Sequence, residues 1–259
     1  AIWRWFDAHG WPVRYRLFAR DVIDFLLSRG VEHAVLLHYA HKPGIARGMN
    51  ELVAELARDE PRVTGLATVF PGEPGARQIL EDAIALGLAG VKLHCHVQCF
   101  SADAPEVEDV ARTLEEHDLP LVIHAGREPK SPAYRCDPHQ ICSADRTEAL
   151  LRSYPKLRVC VPHLGADEFA AYARLLERYD NLWLDTTMAL AGYFPVLDPW
   201  DLVEMRPERV LYGTDFPNLP FAWDRELARI TARGLKEPAL AALLGETARA
   251  LYTKSPSAR

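Results

Sequence analysis

The sequence predicts an α/β fold built on a parallel sheet. Short apolar segments rich in β-branched residues recur along the chain, each followed by a polar turn and a segment with helical periodicity. Segments such as Leu119-Pro-Leu-Val-Ile123 are almost continuously apolar, which indicates strands covered on both faces. The length of 259 residues fits one large α/β barrel or two small domains, and no linker divides the chain. A single domain over residues 1–259 is the simplest organisation.

Seven segments are predicted to be strands, and they begin roughly 25 to 40 residues apart, which is the repeat of a βα unit. The predicted strands are residues 31–39, 62–70, 87–97, 119–125, 157–163, 181–187 and 209–215. Between them, residues 20–30 form an amphipathic pattern that ends at a glycine, and residues 76–87 and 145–154 behave similarly. A barrel or an open doubly wound sheet satisfies this alternation. The absence of Gly-Xaa-Gly-Xaa-Xaa-Gly and of a P-loop disfavours the nucleotide-binding open sheet.

Composition restricts the partners. A formal net charge of -6 argues against a nucleic-acid surface, since phosphate binding requires clustered Lys and Arg. No apolar run approaches the roughly 18 residues that span a bilayer, so we expect a soluble protein with no membrane contact. The five cysteines are an odd number and favour a reducing, cytoplasmic compartment over a disulfide framework. The expected partner is a small-molecule substrate, and the sequence leaves open whether the chain forms a homo-oligomer.

Three predicted strands end in a side chain that can bind a metal: His124, His163 and Asp215. The carboxyl ends of parallel strands are where α/β enzymes build their active sites. Imidazole and carboxylate are the expected ligands of a catalytic divalent cation, which lowers the pKa of water toward about 7, and Asp215 could accept the proton. Each residue alone has a structural explanation, a hydrogen-bonded histidine or a turn-forming aspartate. Matching positions on three strands favour a metal or catalytic site.

Five short motifs together resemble the amidohydrolase-2 branch of the metal-dependent amidohydrolase superfamily, which includes aminocarboxymuconate semialdehyde decarboxylase. The motifs are Gly90-Val-Lys-Leu-His94, Val122-Ile-His124-Ala-Gly126, Pro162-His163-Leu-Gly165, Leu184-Asp-Thr186 and Tyr212-Gly-Thr-Asp215-Phe-Pro217. The resemblance implies a TIM (β/α)8 barrel. It also implies that His124 is a metal ligand, that His163 binds the metal or holds the reactive water, and that Asp215 is a ligand and proton acceptor. The implied cofactor is one divalent metal, most simply Zn, with Mn or Fe as alternatives.

If Lys92 faces the barrel interior, the two-residue period of the third predicted strand sends His94 and His96 to the same side. The resemblance implies that His96 reaches the substrate, with His94 next, although either could be a core histidine. It also raises a carboxylated Lys92 that bridges two metals, a reading that we disfavour against a single-metal site.

The loop over residues 126–142 is too long to be a simple connector and is predicted to cap the pocket. Arg127 is placed to pair with a substrate carboxylate; the alternative is a structural ion pair with Glu128 or Asp167. A separate zinc site is disfavoured because the cysteine spacings lack Cys-Xaa-Xaa-Cys pairs. Its candidate ligands are Cys95, Cys99, Cys136, His139 and Cys142.

The family pattern begins with His-Xaa-His on the first barrel strand, and the start of this chain has no such pair; the only histidine there is His9, which lies in a helical or turn-like segment. Seven predicted strands, where a barrel needs eight, agree with a missing first strand. We therefore expect a barrel without its first strand in an N-terminally truncated chain, in which the metal could be absent. The predicted function is a metal-dependent hydrolase that uses metal-activated water on a small carboxylate-bearing or cyclic amide or lactone substrate. The alternatives are a non-oxidative decarboxylase or hydratase, and a metal-free binding protein or pseudoenzyme.

Overall fold

The computed structural model describes residues 2–195 and 199–253, and within them strands and helices alternate as the sequence predicts. All seven predicted strand segments contain an observed strand. The strands are β1 (Ala34–Leu36), β2 (Val63–Gly65), β3 (Val91–His94), β4 (Leu121–His124), β5 (Val159–Val161), β6 (Leu182–Asp185) and β7 (Val210–Leu211).

Most of the connecting helices pack an apolar face against the sheet and expose a polar one. The helices are α1 (Ile2–Ala8), α2 (Ala19–Ser28), α3 (Ala46–Asp59), α4 (Ala76–Ala85), α5 (Cys95–Gln98), α6 (Glu108–His117), α7 (Pro138–Ile141), α8 (Ala144–Ser153), α9 (Phe169–Arg178), α10 (Trp200–Met205), α11 (Arg225–Arg233), α12 (Glu237–Ala241) and α13 (Thr247–Tyr252). The helices predicted within residues 20–30, 76–87 and 145–154 correspond to α2, α4 and α8. As predicted, α2 is followed by Gly30 in the left-handed region, where the backbone closes the helix with bonds to Leu26 and Leu27.

The strands are parallel and follow one another in chain order. β3 to β7 form one five-stranded sheet, and β1 pairs with β2. The two parts join where Ala67, just after β2, donates to the carbonyl of Gly90 and accepts from Lys92, both at 2.8 Å. Within the described residues β1 and β7 do not pair, so the barrel is not closed by hydrogen bonds between these strands. The prediction of a further strand ahead of residue 1 stays a prediction.

The core has two layers. A large cluster fills the space between the sheet and the helices, with Leu80, Leu114 and Leu176 fully buried in it. A smaller cluster lies on the opposite side of β4, where Val122 and Cys160 pack against Leu251 of α13. Because successive strand residues alternate between these layers, both faces of the sheet are apolar, as the continuous apolar segments predict. No helix in the described ranges is both long and apolar enough to cross a membrane.

Candidate metal centre

The register of β3 and β4 brings two histidines side by side. His94 and His124 are the last residues of their strands and are paired partners in the ladder, so their imidazole rings stack with centroids 3.9 Å apart. His96 joins them with its centroid 4.4 Å from that of His94. One ring nitrogen from each of the three histidines lies within 4.8 Å of the others, and all three side chains are buried. The strand ends therefore build a compact nitrogen-donor cluster.

His96 reaches this cluster by a route that differs from the prediction. The sequence pattern continues the third strand to residue 97, but the strand ends at His94 and the short helix α5 begins at Cys95. Strand alternation therefore does not orient His96. A helical turn places it instead, and the carbonyl of His96 accepts a hydrogen bond from the Cys136 thiol at 3.1 Å.

The second pair of predicted site residues lies next to the cluster. The ring of His163 has its centroid 4.7 Å from that of His124, and its Nε2 is 3.8 Å from the Asp215 carboxylate. His163 Nδ1 is 2.8 Å from the Thr187 carbonyl oxygen. A carbonyl only accepts, so Nδ1 donates this hydrogen bond and Nε2 is the ring nitrogen on the side of Asp215. His163 and Asp215 both have φ near +60°, at 58° and 59°, a conformation that costs about 1–2 kcal/mol in a non-glycine residue and persists where the surroundings enforce it.

Glycines allow the loops after β4 and β5 to approach each other behind these histidines. Gly126 has φ +94°, and a Cβ on it would overlap the backbone of Gly165. A Cβ on Gly165 would in turn overlap the ring of Tyr172. A Cβ on Gly213 would overlap the Thr187 hydroxyl and lie 2.9 Å from the Asp185 carboxylate. The glycines of the three motifs therefore have a steric role, because they let adjacent strand ends pack closely.

Burial controls the charge of the histidines. It lowers the pKa of His94 well below its usual value, with the neighbouring His124 adding to the effect. Burial also lowers the pKa of His124 to about 4, although the nearby Glu128 carboxylate acts in the opposite direction. Both imidazoles are therefore neutral near pH 7, which is the form that binds metal ions.

His96 has the opposite behaviour. Burial lowers its pKa, but hydrogen bonding to Cys142 and Glu128 outweighs burial and raises the pKa to about 9. Glu128 approaches His96 Nδ1 at 2.6 Å and His124 Nε2 at 3.7 Å. Burial opposes ionisation of Glu128, yet the two histidines hold its pKa below the usual range of a glutamate. Without a metal ion, a protonated His96 and an ionised Glu128 balance each other in the buried centre.

The donor chemistry fits a divalent cation. His94 Nδ1, His124 Nε2 and His163 Nε2 are buried and have no hydrogen-bond partner. Buried polar atoms are rarely left unpaired without a functional reason. Nitrogen donors with a carboxylate close by are the usual ligand set of catalytic Zn²⁺ and related cations. The predicted ligands His124, His163 and Asp215 are thus neighbours, and the structure adds His94 and His96 to the histidines that could bind the ion.

Arg127 lies apart from this centre. Its Nε is 3.8 Å from a Glu168 carboxylate oxygen, the side chain is nearly half exposed, and its backbone N–H donates to Glu168 at 2.9 Å. The sequence analysis offered Glu128 and Asp167 as ion-pair partners of Arg127. The observed partner is instead Glu168, the residue that follows Asp167. Its predicted substrate contact stays a prediction.

Lys92 has a buried side chain. Burial lowers its pKa, while Asp185 and Asp215 act in the opposite direction. Burial raises the pKa of Asp185, and Lys92 acts in the opposite direction. Lys92 and Asp185 therefore interact as buried groups of opposite charge, each of which favours the charged form of the other.

Sequence reasoning missed three contributors. Glu128 was considered only as a partner for Arg127, and Tyr39 and Tyr134 were not considered. The Tyr39 ring lies 4.6 Å from His94 and the Tyr134 ring 4.5 Å from His96, measured between centroids. Tyr39 follows β1 at a strand end, which is a recognisable sequence position, whereas Tyr134 reaches the site only through the folding of the loop over residues 126–142.

A separate cysteine-based zinc site is not supported. Within residues 2–195 and 199–253, the histidine cluster is the one group of three or more donors close enough to share an ion. All five cysteines are free thiols.

Comparison with known families shows to which family the chain belongs. The family model described as Amidohydrolase, of the amidohydrolase-2 type, matches residues 3–254, nearly the whole chain. The chain belongs to the amidohydrolase family. The predicted resemblance is confirmed. No curated protein sequence matches this amidohydrolase significantly.

Solved structures confirm the TIM-barrel fold. An uncharacterized TIM-barrel protein from Bordetella bronchiseptica is 17% identical, with a TM-score of 0.71 and coverage of 90% of this chain and 82% of the other. The 5-carboxyvanillate decarboxylase of Novosphingobium aromaticivorans, in complex with manganese and 4-hydroxy-3-methoxy-5-nitrobenzoic acid, is 19% identical, with a TM-score of 0.69 and coverage of 93% and 81%. A protein described as a probable 2-pyrone-4,6-dicarboxylic acid hydrolase from Acinetobacter baumannii is 14% identical, with a TM-score of 0.62 and coverage of 92% and 91%.

Proposed function

We propose that this amidohydrolase hydrolyses a small, carboxylate-bearing cyclic ester or amide at one divalent metal ion, with Asp215 and His163 handling the proton. The observation that carries this proposal is the set of three unpartnered, buried nitrogens on His94, His124 and His163. A divalent cation held by His94 and His124 would polarise water and lower its pKa toward about 7, and His163 Nε2 would hold that water beside Asp215. Zn²⁺ and Mn²⁺ are the ions that we consider first.

The chain's own residues supply the proton path. Asp215 is 3.8 Å from His163 Nε2, and about half of its side chain is exposed to solvent. It can therefore take a proton at the buried end of the site and release it to bulk water. General acid–base catalysis of this type is typically worth 10² to 10⁴ in rate.

The buried ion pair of His96 and Glu128 offers a binding position for an anionic substrate. Glu128 and Cys142 raise the pKa of His96 to about 9, so His96 is protonated near pH 7. A substrate carboxylate could displace Glu128 as the partner of His96, and Arg127 could pair with a second anionic group by swinging away from Glu168.

Non-oxidative decarboxylation is the second candidate, and the protonated His96 favours it. A buried imidazolium next to the centre could protonate a ring carbon as carbon dioxide leaves, a step that needs a proton donor where hydrolysis needs an acceptor. The manganese complex of 5-carboxyvanillate decarboxylase on the same fold supports testing this activity.

Product mass distinguishes the two reactions. The chain, loaded with Mn²⁺ or Zn²⁺, would be incubated with pyrone-type lactone carboxylates, cyclic amides and hydroxybenzoates. Hydrolysis yields a product that is heavier by one water and carries ¹⁸O from labelled solvent. Decarboxylation yields a lighter product and free carbon dioxide. Turnover of none of these classes would contradict both proposals, and a protein that binds the compounds unchanged would fit the alternative of a binding protein.

Asp215→Asn tests the proton acceptor. We expect at least a 100-fold loss of kcat with unchanged circular dichroism, because the amide cannot accept the proton. Asp24→Asn is the matched control, since Asp24 is an exposed aspartate on α2. Full activity of Asp215→Asn would refute its role.

A further inference from the structure

We propose that Glu226 is a positioning residue that orients His163 through a single peptide group. Glu226 lies on α11, far along the chain from the histidine motif, and its side chain is buried. The inference deepens the proposed function because it assigns a residue that acts on the base through another group.

Glu226 binds the backbone of the loop after β6 through two hydrogen bonds. One carboxylate oxygen accepts from the Met188 N–H at 2.7 Å, and the other accepts from the Leu190 N–H at 3.0 Å. Met188 has φ +65°, a conformation that a non-glycine residue keeps only with outside support. The two bonds provide this support from a distant helix.

Two arginines of the same helix also bind this loop, through its carbonyl groups. Arg225 donates to the carbonyls of Ala191 at 2.6 Å and Gly192 at 2.8 Å, and Arg229 donates to that of Leu190 at 2.8 Å. The helix α11 therefore holds both the N–H and the C=O groups of one loop.

The same loop also contacts the candidate base. The Thr187 carbonyl accepts from His163 Nδ1 at 2.8 Å, and the N–H of the next residue, Met188, donates to Glu226. This carbonyl and this N–H belong to the same peptide group. The order is therefore imidazole, peptide and carboxylate, with a hydrogen bond at each junction.

Hydrogen bonds in such a chain polarise one another, so a carboxylate on the N–H side makes the Thr187 carbonyl a stronger acceptor. A stronger acceptor holds the proton on His163 Nδ1 and leaves Nε2 as the basic nitrogen facing Asp215. This is the usual task of a carboxylate behind a catalytic histidine, carried out here through one intervening peptide.

Glu226→Gln is the direct test. A glutamine offers one oxygen to two backbone N–H groups and points its own NH₂ at the other, so one bond is lost and the peptide group shifts. In the ¹⁵N-labelled chain at pH 8, we expect wild-type His163 to show the Nδ1–H tautomer in long-range ¹H–¹⁵N spectra. Glu226→Gln should show a mixture of tautomers, and its kcat should fall at least 10-fold while KM changes less than 2-fold.

Glu73→Gln is the matched control. Glu73 is also a buried carboxylate that accepts from two backbone N–H groups, those of Gly44 at 2.7 Å and Phe70 at 2.9 Å. Among the described residues, neither loop forms a hydrogen bond or a ring contact with His163. Glu73→Gln should lose thermal stability to a similar extent and keep the wild-type tautomer and kcat. If Glu226→Gln does not fold, the tautomer and kcat are measured in Glu226→Asp instead, which retains the charge at a shorter reach.

The outcomes separate this inference from the proposed function. The tautomer is measured without any substrate. If Glu226→Gln changes the tautomer but the wild-type chain converts no substrate, the proposed function is wrong and the positioning role stands. Wild-type tautomer and wild-type kcat in Glu226→Gln would overturn the positioning role, whatever the substrate. An equal change in Glu73→Gln would reduce the effect to general destabilisation and would also overturn it.

Discussion

Gly126→Ala should weaken the candidate metal centre by displacing the backbone next to it, although Gly126 is not itself a candidate ligand. Gly126 has φ +94°, and a Cβ there would lie 2.6 Å from the carbonyl carbon of Gly165 and closer still to its oxygen. The obstructing atoms are backbone, so no side chain can turn away to relieve the contact. The loops that carry His124 and His163 must move apart instead.

The magnitude follows from two separate terms. Placing alanine at this φ costs about 1–2 kcal/mol. Forcing an extra carbon into closely packed backbone costs about 1–3 kcal/mol more. Gly126→Ala should therefore lower the free energy of unfolding by about 2–5 kcal/mol, and the displaced histidines should bind the metal at least 10-fold more weakly.

Gly87→Ala isolates the first term. Gly87 has φ +93°, nearly the same conformation, but a Cβ there would have no neighbour within 4 Å. Urea unfolding of both variants should give a difference of at least 1 kcal/mol, and calorimetric titration with Mn²⁺ should give weaker binding in Gly126→Ala alone. Equal losses of stability, with unchanged metal affinity in both, would refute the close approach of the two loops.

Three further predictions concern charged groups. Arg127→Ala should change the unfolding free energy by less than about 1 kcal/mol, because its pairing with Glu168 is long and partly exposed, while raising KM for a carboxylate substrate at least 10-fold in steady-state kinetics. Burial raises the pKa of Glu226 to about 7, so the folded state keeps a proton that the unfolded state loses near 4.5. The unfolding free energy of wild type should then fall by up to about 1.4 kcal/mol per pH unit between those values relative to Glu226→Gln, as urea unfolding at several pH values would reveal. Lys92→Met should leave the metal content at one ion per chain, and a fall from two ions to one by elemental analysis would favour a bridging lysine.

Much of the fold was predictable because strand and helix periods are local properties of the sequence. The apolar segment around Leu121 predicts a buried strand without reference to the rest of the chain, and the same holds for the amphipathic pattern of α2. The end of β3 was not predictable in this way. Cys95 and His96 continue an acceptable strand pattern, and the helical turn there is stabilised by tertiary contacts such as that of His96 with Cys136.

The candidate site was predictable in position and only partly in membership. Strand ends in a parallel sheet converge, so His124, His163 and Asp215 could be grouped from the sequence. The stacking of His94 on His124 depends on the exact register of β3 against β4, which single-strand patterns do not contain. The connection of Glu226 to His163 spans two loops and a helix, and no local pattern encodes it.

The most direct test of the proposed centre is the stoichiometry and location of metal binding. Isothermal titration of the chain with Mn²⁺ and Zn²⁺, checked by elemental analysis, should give one ion per chain. His124→Asn should abolish this binding, whereas His41→Asn, at an exposed histidine outside the site, should leave it unchanged. Less than about one tenth of an ion per chain under saturating metal, or equal binding by His124→Asn and wild type, would contradict a metal centre built on these histidines.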